Sequence, residues 1–236
     1  SEVYIVGGDA AVSKEVATKV KAATGRDPVR VEGLNRYDTS EQVYRRFFGD
    51  TGRAVKTAFV ATGRGFPDAL SAASAGSALS APVLLVDGKN AKSLSAYLVG
   101  SLQAKQTGEV LISGGPAAVN GTIQASLGKV FSVERLGGND RYITNAAVNA
   151  YLNAKAPSTA LSSVFIATGR DFPDALSAAA PSGRLSSRLV LSNGQCIPKP
   201  VVSQWITKPG SQVKNVYLVG GPAVLAESVL NLTQCK

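Results

Sequence analysis

Arginine and aspartate recur at a fixed spacing in two copies of one thirteen-residue run. ATGRGFPDALSAA (61–73) and ATGRDFPDALSAA (167–179) differ only where Gly65 answers to Asp171. Each copy holds an arginine, Arg64 or Arg170, and an aspartate four residues on, Asp68 or Asp174. A guanidinium offers a planar fork of donors to phosphate or carboxylate, so a repeated loop arginine is a candidate anion contact. The alternative is an ion pair with the aspartate four positions later. Arg36-Tyr37 and Arg141-Tyr142 form a second repeated set, in which a tyrosine face could meet a sugar while the arginine takes phosphate or carboxylate. Asp68 and Asp174 are also the repeated candidates for acid catalysis. A carboxylate beside an arginine at a helix start, however, normally stays ionised and structural.

Absences narrow the chemistry further. The chain has no histidine, which excludes Ser-His-Asp and Cys-His nucleophiles, histidine bases and histidine-bearing zinc sites. No Asp-x-Asp pair occurs to hold magnesium. Cys196 and Cys235 are too few and too far apart for structural zinc. A disulfide between them would suit an exported protein, and two unpaired buried thiols are the alternative. No cofactor and no metal are expected.

Lysine and arginine number 25 against 16 acids, a formal charge of +9 that favours a polyanionic partner. The basic residues form no dense run and aromatics are 6% of the chain, so recognition-helix, zinc-finger and base-stacking patterns are missing. Nucleic acid is therefore not the expected partner. The uncharged stretch 69–86 carries Ser71, Ser74, Ser77 and Ser80 at every third position and is broken by Pro82. It reads as a small-residue helix, a turn and a buried strand, not a membrane span.

A longer period places all these side chains. VYIVGGDAAVS at Val3 returns as VLISGGPAAVN at Val110 and VYLVGGPAVLA at Val216, and RVEGLNRYDTSEQV at Arg30 returns as RLGGNDRYITNAAV at Arg135. With the thirteen-mer, three landmarks share a spacing of 105–107 residues. Short β-branched runs predict strands over 3–6, 29–31, 57–61, 83–86, 110–113, 130–134, 164–167, 189–192 and 216–219. Amphipathic stretches predict helices over 14–23, 40–48, 67–78, 93–103, 120–127, 144–153, 173–180, 200–206 and 225–232. This alternation implies an α/β fold of tandem Rossmann-like repeats with mostly parallel sheets. Two complete units, 30–129 and 130–236, come after a fragment, 1–29, that matches only the closing strand and helix of a unit. In the thirteen-mer a strand ends at Ala61, Thr62-Gly63 turns, and Pro67 opens a helix with Asp68 at its positive end. Arg64 and Arg170 thus follow the carboxyl end of a strand, where open α/β sheets place ligands. The GG turns match neither G-x-G-x-x-G nor a Walker motif, and a tight turn alone calls for glycine.

Taken together, the RY-T motifs at Arg36 and Arg141, the ATGR-FPDALSAA runs and the V--V/SGGPAAV strands closely resemble the type 2 cell-wall-binding repeats of exported Gram-positive proteins. The resemblance covers nearly the whole chain. It implies a non-catalytic anchoring module of Toprim-like α/β repeats, three of which pack around a pseudo-threefold axis in relatives. It implies an anionic wall polysaccharide or peptidoglycan-linked polymer as partner, teichoic-acid-like or otherwise acidic, and a secreted, wall-associated location. The ligand-binding residues expected on this basis are Arg36, Tyr37, Arg64, Asp68, Arg141, Tyr142, Arg170 and Asp174. An exported setting makes the Cys196–Cys235 disulfide the expected state. A threefold arrangement would need a third repeat or a homo-oligomer. Two other readings stand beside this one. Relatives are often fused to wall hydrolases or amidases, so such an enzyme or its modifier is one. A surface adhesin for a host glycan or protein is the other. The missing Asp-x-Asp argues against a Toprim nuclease.

Overall fold

The computed structural model describes residues 2–155, 161–185, 187–207, 209 and 211–235. Among these residues three parallel sheets succeed one another. In the first, β1 (Tyr4–Val6) pairs with β2 (Val29–Val31) across helix α1 (Lys14–Thr24). The second has the order β4-β3-β5-β6, from β3 (Thr57–Thr62), β4 (Val83–Val86), β5 (Glu109–Ser113) and β6 (Ser132–Leu136). The third, β8-β7-β9, uses β7 (Ser163–Thr168), β8 (Ser187–Ser192) and β9 (Asn215–Val219). Each predicted strand is present, with ends shifted by at most two residues. The strand that opens a sequence repeat pairs with the preceding sheet: β6 lies beside β5 as β2 lies beside β1.

The middles of the central strands are apolar without alternation because both faces are covered. Ala58 to Ala61 on β3 and Val164, Ile166 and Ala167 on β7 are fully buried. One face of the second sheet packs Val60, Leu84 and Ile112 against Leu98 and Leu102 of α4 (Ala96–Ala104) and Ile123 of α5 (Gly121–Leu127). The other packs Phe59 and Leu111 against Ala72 and Ala75 of α3 (Pro67–Leu79) and Val148 and Leu152 of α6 (Arg141–Lys155). The third sheet repeats the plan. Phe165 and Leu191 meet Ala175 and Ala179 of α7 (Pro173–Arg184), joined by Leu70 from α3. On its other face Ile166 and Val190 meet Val201 of α8 (Lys199–Val201) and Val229 of α9 (Glu227–Leu230).

The small residues of α3 and α7 let these two helices touch. Ser74 Oγ stands 2.7 Å from Ser182 Oγ, and a Cβ on Gly183 would come within 2.3 Å of Ser77 Cβ. The stretch 69–86 is thus the helix, turn and strand expected of it, joining one unit to the next. Among the described residues no helix is long and apolar enough to cross a membrane.

Four helix bounds need correction: α4 begins at 96 rather than 93, α7 runs to 184 rather than 180, and two starts move the other way. Helix α2 (Arg36–Tyr44), which runs on into a π-helical turn over Arg45–Gly49, and α6 begin three or four residues before their predicted starts at 40 and 144. Asn35 Oδ1 accepts the backbone amides of Tyr37 and Asp38 at 2.8 and 3.1 Å, and Asp140 Oδ1 accepts those of Tyr142 and Ile143 at 2.8 Å. These caps pull both Arg-Tyr pairs into the first turn of a helix.

The same helices close the open edges of two sheets. Leu85 of β4 donates its amide to Ser40 Oγ, and Leu191 of β8 donates to Asn145 Oδ1 at 3.1 Å. A polar side chain stands in for the strand that would otherwise extend each edge. Cys196 and Cys235 are joined in a disulfide, as expected. Beside it Cys235 donates its amide to Ile197 O at 2.9 Å and Ile197 donates to Thr233 O at 2.8 Å.

Candidate functional site

The repeated motifs converge at the carboxyl ends of the strands. Arg36 donates from Nη1 to Gly63 O at 2.6 Å, and Arg141 donates in the same way to Gly169 O. Tyr37 and Tyr142 lie flush against the same glycines. A Cβ on Gly63 would stand 2.5 Å from Tyr37 Cε1, and one on Gly169 would stand 2.7 Å from Tyr142 Cε1. Thr39 and Thr144, the last letters of the RY-T motif, accept the amides of Gly33 and Gly138. The motif therefore clamps the TGR turn from a neighbouring helix, and the turn must be glycine to let the rings approach.

Arg64 does not pair with Asp68. Its Nε and Nη2 donate to Asp87 Oδ1 and Oδ2 at 2.5 and 2.8 Å, a bidentate pair. Helical i,i+4 spacing has no bearing here, because Arg64 lies in the loop before α3. Sheet register decides the partner: Thr62 is opposite Val86, so the residues just beyond each strand meet. Arg64 holds the Asp87 carboxyl far below an aspartate's ordinary 3.8, helped by the amides of Asn90 and Lys89. No Arg170–Asp174 pair forms among the described residues either.

Asp68 turns inward. It is set against the turn after β5, where a Cβ on Gly114 would meet Asp68 Oδ2 at 2.6 Å, and Ser113 Oγ donates to its backbone carbonyl at 2.8 Å. Burial pushes its carboxyl above the usual aspartate value, opposed by a Thr144 hydrogen bond and the Arg141 charge. Asp174 holds the equivalent place, 2.7 Å from where a Gly220 Cβ would be. Gly114 and Gly220 have φ of 121° and 131°, so the first glycine of each GG pair supplies a left-handed turn and room for the carboxylate.

Between the two units these elements leave a cavity of about 520 Å³, lined by Arg36, Arg64, Phe66, Leu70, Phe172 and Leu176 among others. The Phe66 and Phe172 rings lie 5.8 Å apart, and the Arg141 guanidinium stands 5.7 Å from the Phe66 centroid. Phe172 is 47% exposed and Leu176 56%, so the wall is open to a ligand. Sequence reasoning proposed Arg36, Arg64 and Arg141 as ligand contacts; Arg36 and Arg64 line this cavity and Arg141 stands over the Phe66 ring. It missed the two phenylalanines, although both stand in the thirteen-mer, because FPDAL reads as a helix start. It also missed Asp87, which carries no motif of its own. Among the described residues no group of acids and cysteines could hold a metal.

The family model described as Cell wall binding domain 2 matches residues 30–124 and 135–230. N-acetylmuramoyl-L-alanine amidase LytC of Bacillus subtilis is 28% identical over 193 residues, 82% of this chain and 36% of that protein. The amidase enhancer of the same organism is 28% identical over 206 residues, 87% of this chain and 26% of the enhancer. The chain thus spans about a third or less of these curated relatives. Among solved structures, Cwp6 from Clostridium difficile superposes with a TM-score of 0.81 at 22% identity, covering 99% of this chain and 36% of that one. Cwp8 from the same organism gives 0.78 at 24% identity, covering 98% and 37%. At these identities the two structures speak for the fold.

Proposed function

The chain belongs to the Cell wall binding domain 2 family, and on that premise we propose that it is a non-catalytic module that holds an anionic polymer of a Gram-positive cell wall against the carboxyl ends of its strands. One observation carries this reading. An apolar cavity walled by Phe66 and Phe172 is rimmed by Arg36 and Arg64, with Arg141 over one ring. Aromatic faces suit sugar rings, and those guanidinium forks that no carboxylate of the chain already fills suit phosphate or carboxylate. The net charge of +9 adds a long-range attraction for a polyanion.

In this reading the phenylalanines take the sugar-facing part that the sequence suggested for Tyr37 and Tyr142, whose rings are occupied by Gly63 and Gly169. Asp68 and Asp174 sit close against Gly114 and Gly220, a placement that supports a structural part for these repeated acids over a catalytic one. Each contact is weak alone, and a repeating polymer engages several at once. The module would act at the cell surface, holding whatever it is joined to on the wall.

Purified native walls and walls stripped of anionic polymers by acid provide the test. Retention should be strong on native walls, fall with added salt, and be largely lost on stripped peptidoglycan. Equal retention on both would refute the polymer reading, and reproducible release of soluble wall fragments would favour the hydrolase.

A further inference from the structure

We propose that the two arginine loops are not equivalent: the Arg170 loop is the open contact for a phosphate or carboxylate group, while Asp87 keeps the Arg64 loop closed as an internal stand-in for that ligand. This deepens the wall-polymer reading and rests on it.

The loops share one backbone. Gly63 donates its amide to Val86 O at 2.9 Å and Gly169 donates to Ser192 O at 2.7 Å, while Arg64 and Arg170 each donate their amides to the preceding threonine hydroxyl at 3.2 Å. Corresponding side chains therefore start from corresponding places. The residue just beyond the neighbouring strand differs between the units in one atom of its side chain: Asp87 after β4, Asn193 after β8. Asp87 Oδ1 accepts the amides of Lys89 and Asn90, each at 3.3 Å, and Asn193 Oδ1 accepts those of Gln195 and Cys196 at 2.9 and 3.1 Å. The turn survives the exchange and the charge does not.

The consequence for each arginine is opposite. Asp87 meets Arg64 with both oxygens, the geometry a free carboxylate or phosphate would adopt. Asn193 has its single oxygen engaged in the turn and otherwise presents an NH2 group, which cannot accept from a guanidinium. The nearest acid in the chain, Asp171, takes the Phe172 amide at 2.8 Å. Among the described residues the exposed Arg170 guanidinium has no hydrogen bond or ion pair. Asp171, the one difference between the thirteen-mers, leaves that fork unfilled.

The test uses the native chain and single variants against two probes, poly(glycerol phosphate) and polygalacturonate, with dextran as a neutral control. Arg170→Gln and Asn193→Asp should each weaken binding to the preferred polyanion about fivefold or more. Asp87→Asn should strengthen it at least about threefold beyond Asp27→Asn, which adds the same charge at the opposite ends of the strands. Thermal unfolding of each variant checks that the fold is retained; the aspartate introduced at 193 can hold its turn as Asp87 does. A preference for one probe identifies the oxyanion. If the native chain binds neither polyanion above dextran, the wall-polymer reading falls and this inference with it. Native binding that survives Arg170→Gln, or Asp87→Asn no stronger than Asp27→Asn, overturns this inference alone.

Discussion

Removing the Asn145 side chain strips the edge of β8 of its polar cover. The amide is 3% exposed and makes four hydrogen bonds. Its nitrogen donates to Ser71 Oγ and Leu189 O, each at 3.0 Å, while its oxygen accepts from Leu191 N at 3.1 Å and Asn149 Nδ2 at 3.2 Å. In Asn145→Ala the Leu189 carbonyl keeps Asn149 at 2.9 Å, but the buried Leu191 amide loses its acceptor. An orphaned buried donor costs about 1–3 kcal/mol, and the lost side-chain bonds add roughly 1 kcal/mol. A loss of about 3 kcal/mol should lower the melting temperature by roughly 6–12 °C in a chain of this length. Asn145→Ser should recover about 1 kcal/mol or more of that, because Ser40 serves the corresponding edge of β4, accepting Leu85 N at 3.0 Å and donating to Val83 O at 3.4 Å. Thermal and urea unfolding of the native chain and both variants give the comparison. A loss in Asn145→Ala below about 1 kcal/mol, or a serine variant no better than alanine, would show that the edge is not held this way.

Reducing the Cys196–Cys235 bond, 39 residues apart, should cost about 4 kcal/mol of chain entropy and lower the melting temperature by roughly 8–16 °C. Calorimetry with and without reductant measures this, and a shift under about 3 °C would refute a constraint acting on the unfolded chain. Asp68 gives a pH test. Its folded carboxyl lies above the ordinary 3.8 because burial outweighs Thr144 and Arg141, so its stabilising contribution is full below 3.8 and is lost as pH rises through the raised value. The melting temperature of Asp68→Asn relative to native should therefore be higher at pH 7 than at pH 3. The reverse order would mean that Arg141 stabilises the charged form.

Sequence patterns record burial and period, and the legible part of this fold is the part those two properties fix. The middle of a run such as TAFVAT or SVFIAT is continuously apolar because the strand it forms is covered on both faces, so its type and its parallel pairing can be read from the letters alone. The fixed spacing of the landmarks likewise revealed the repeated α/β plan, and Pro67 and Pro173 marked where α3 and α7 begin. The starts of α2 and α6 were misplaced because Asn35 and Asp140 act through side-chain caps, and those depend on a backbone path that hydrophobic period does not report.

The sequence by itself therefore determined the order and kind of the elements and set the Arg64 and Arg170 loops after the carboxyl ends of strands. Only the tertiary structure decided what each arginine does there. Arg64 and Asp87 are 23 residues apart, and they meet because β3 and β4 pair with Thr62 opposite Val86. Arg36 reaches Gly63 and Arg141 reaches Gly169 across similar distances in the chain. A guanidinium's role is set by the oxygen within about 3 Å of it, and that neighbour is fixed by register and packing between segments, which no local pattern of residues encodes.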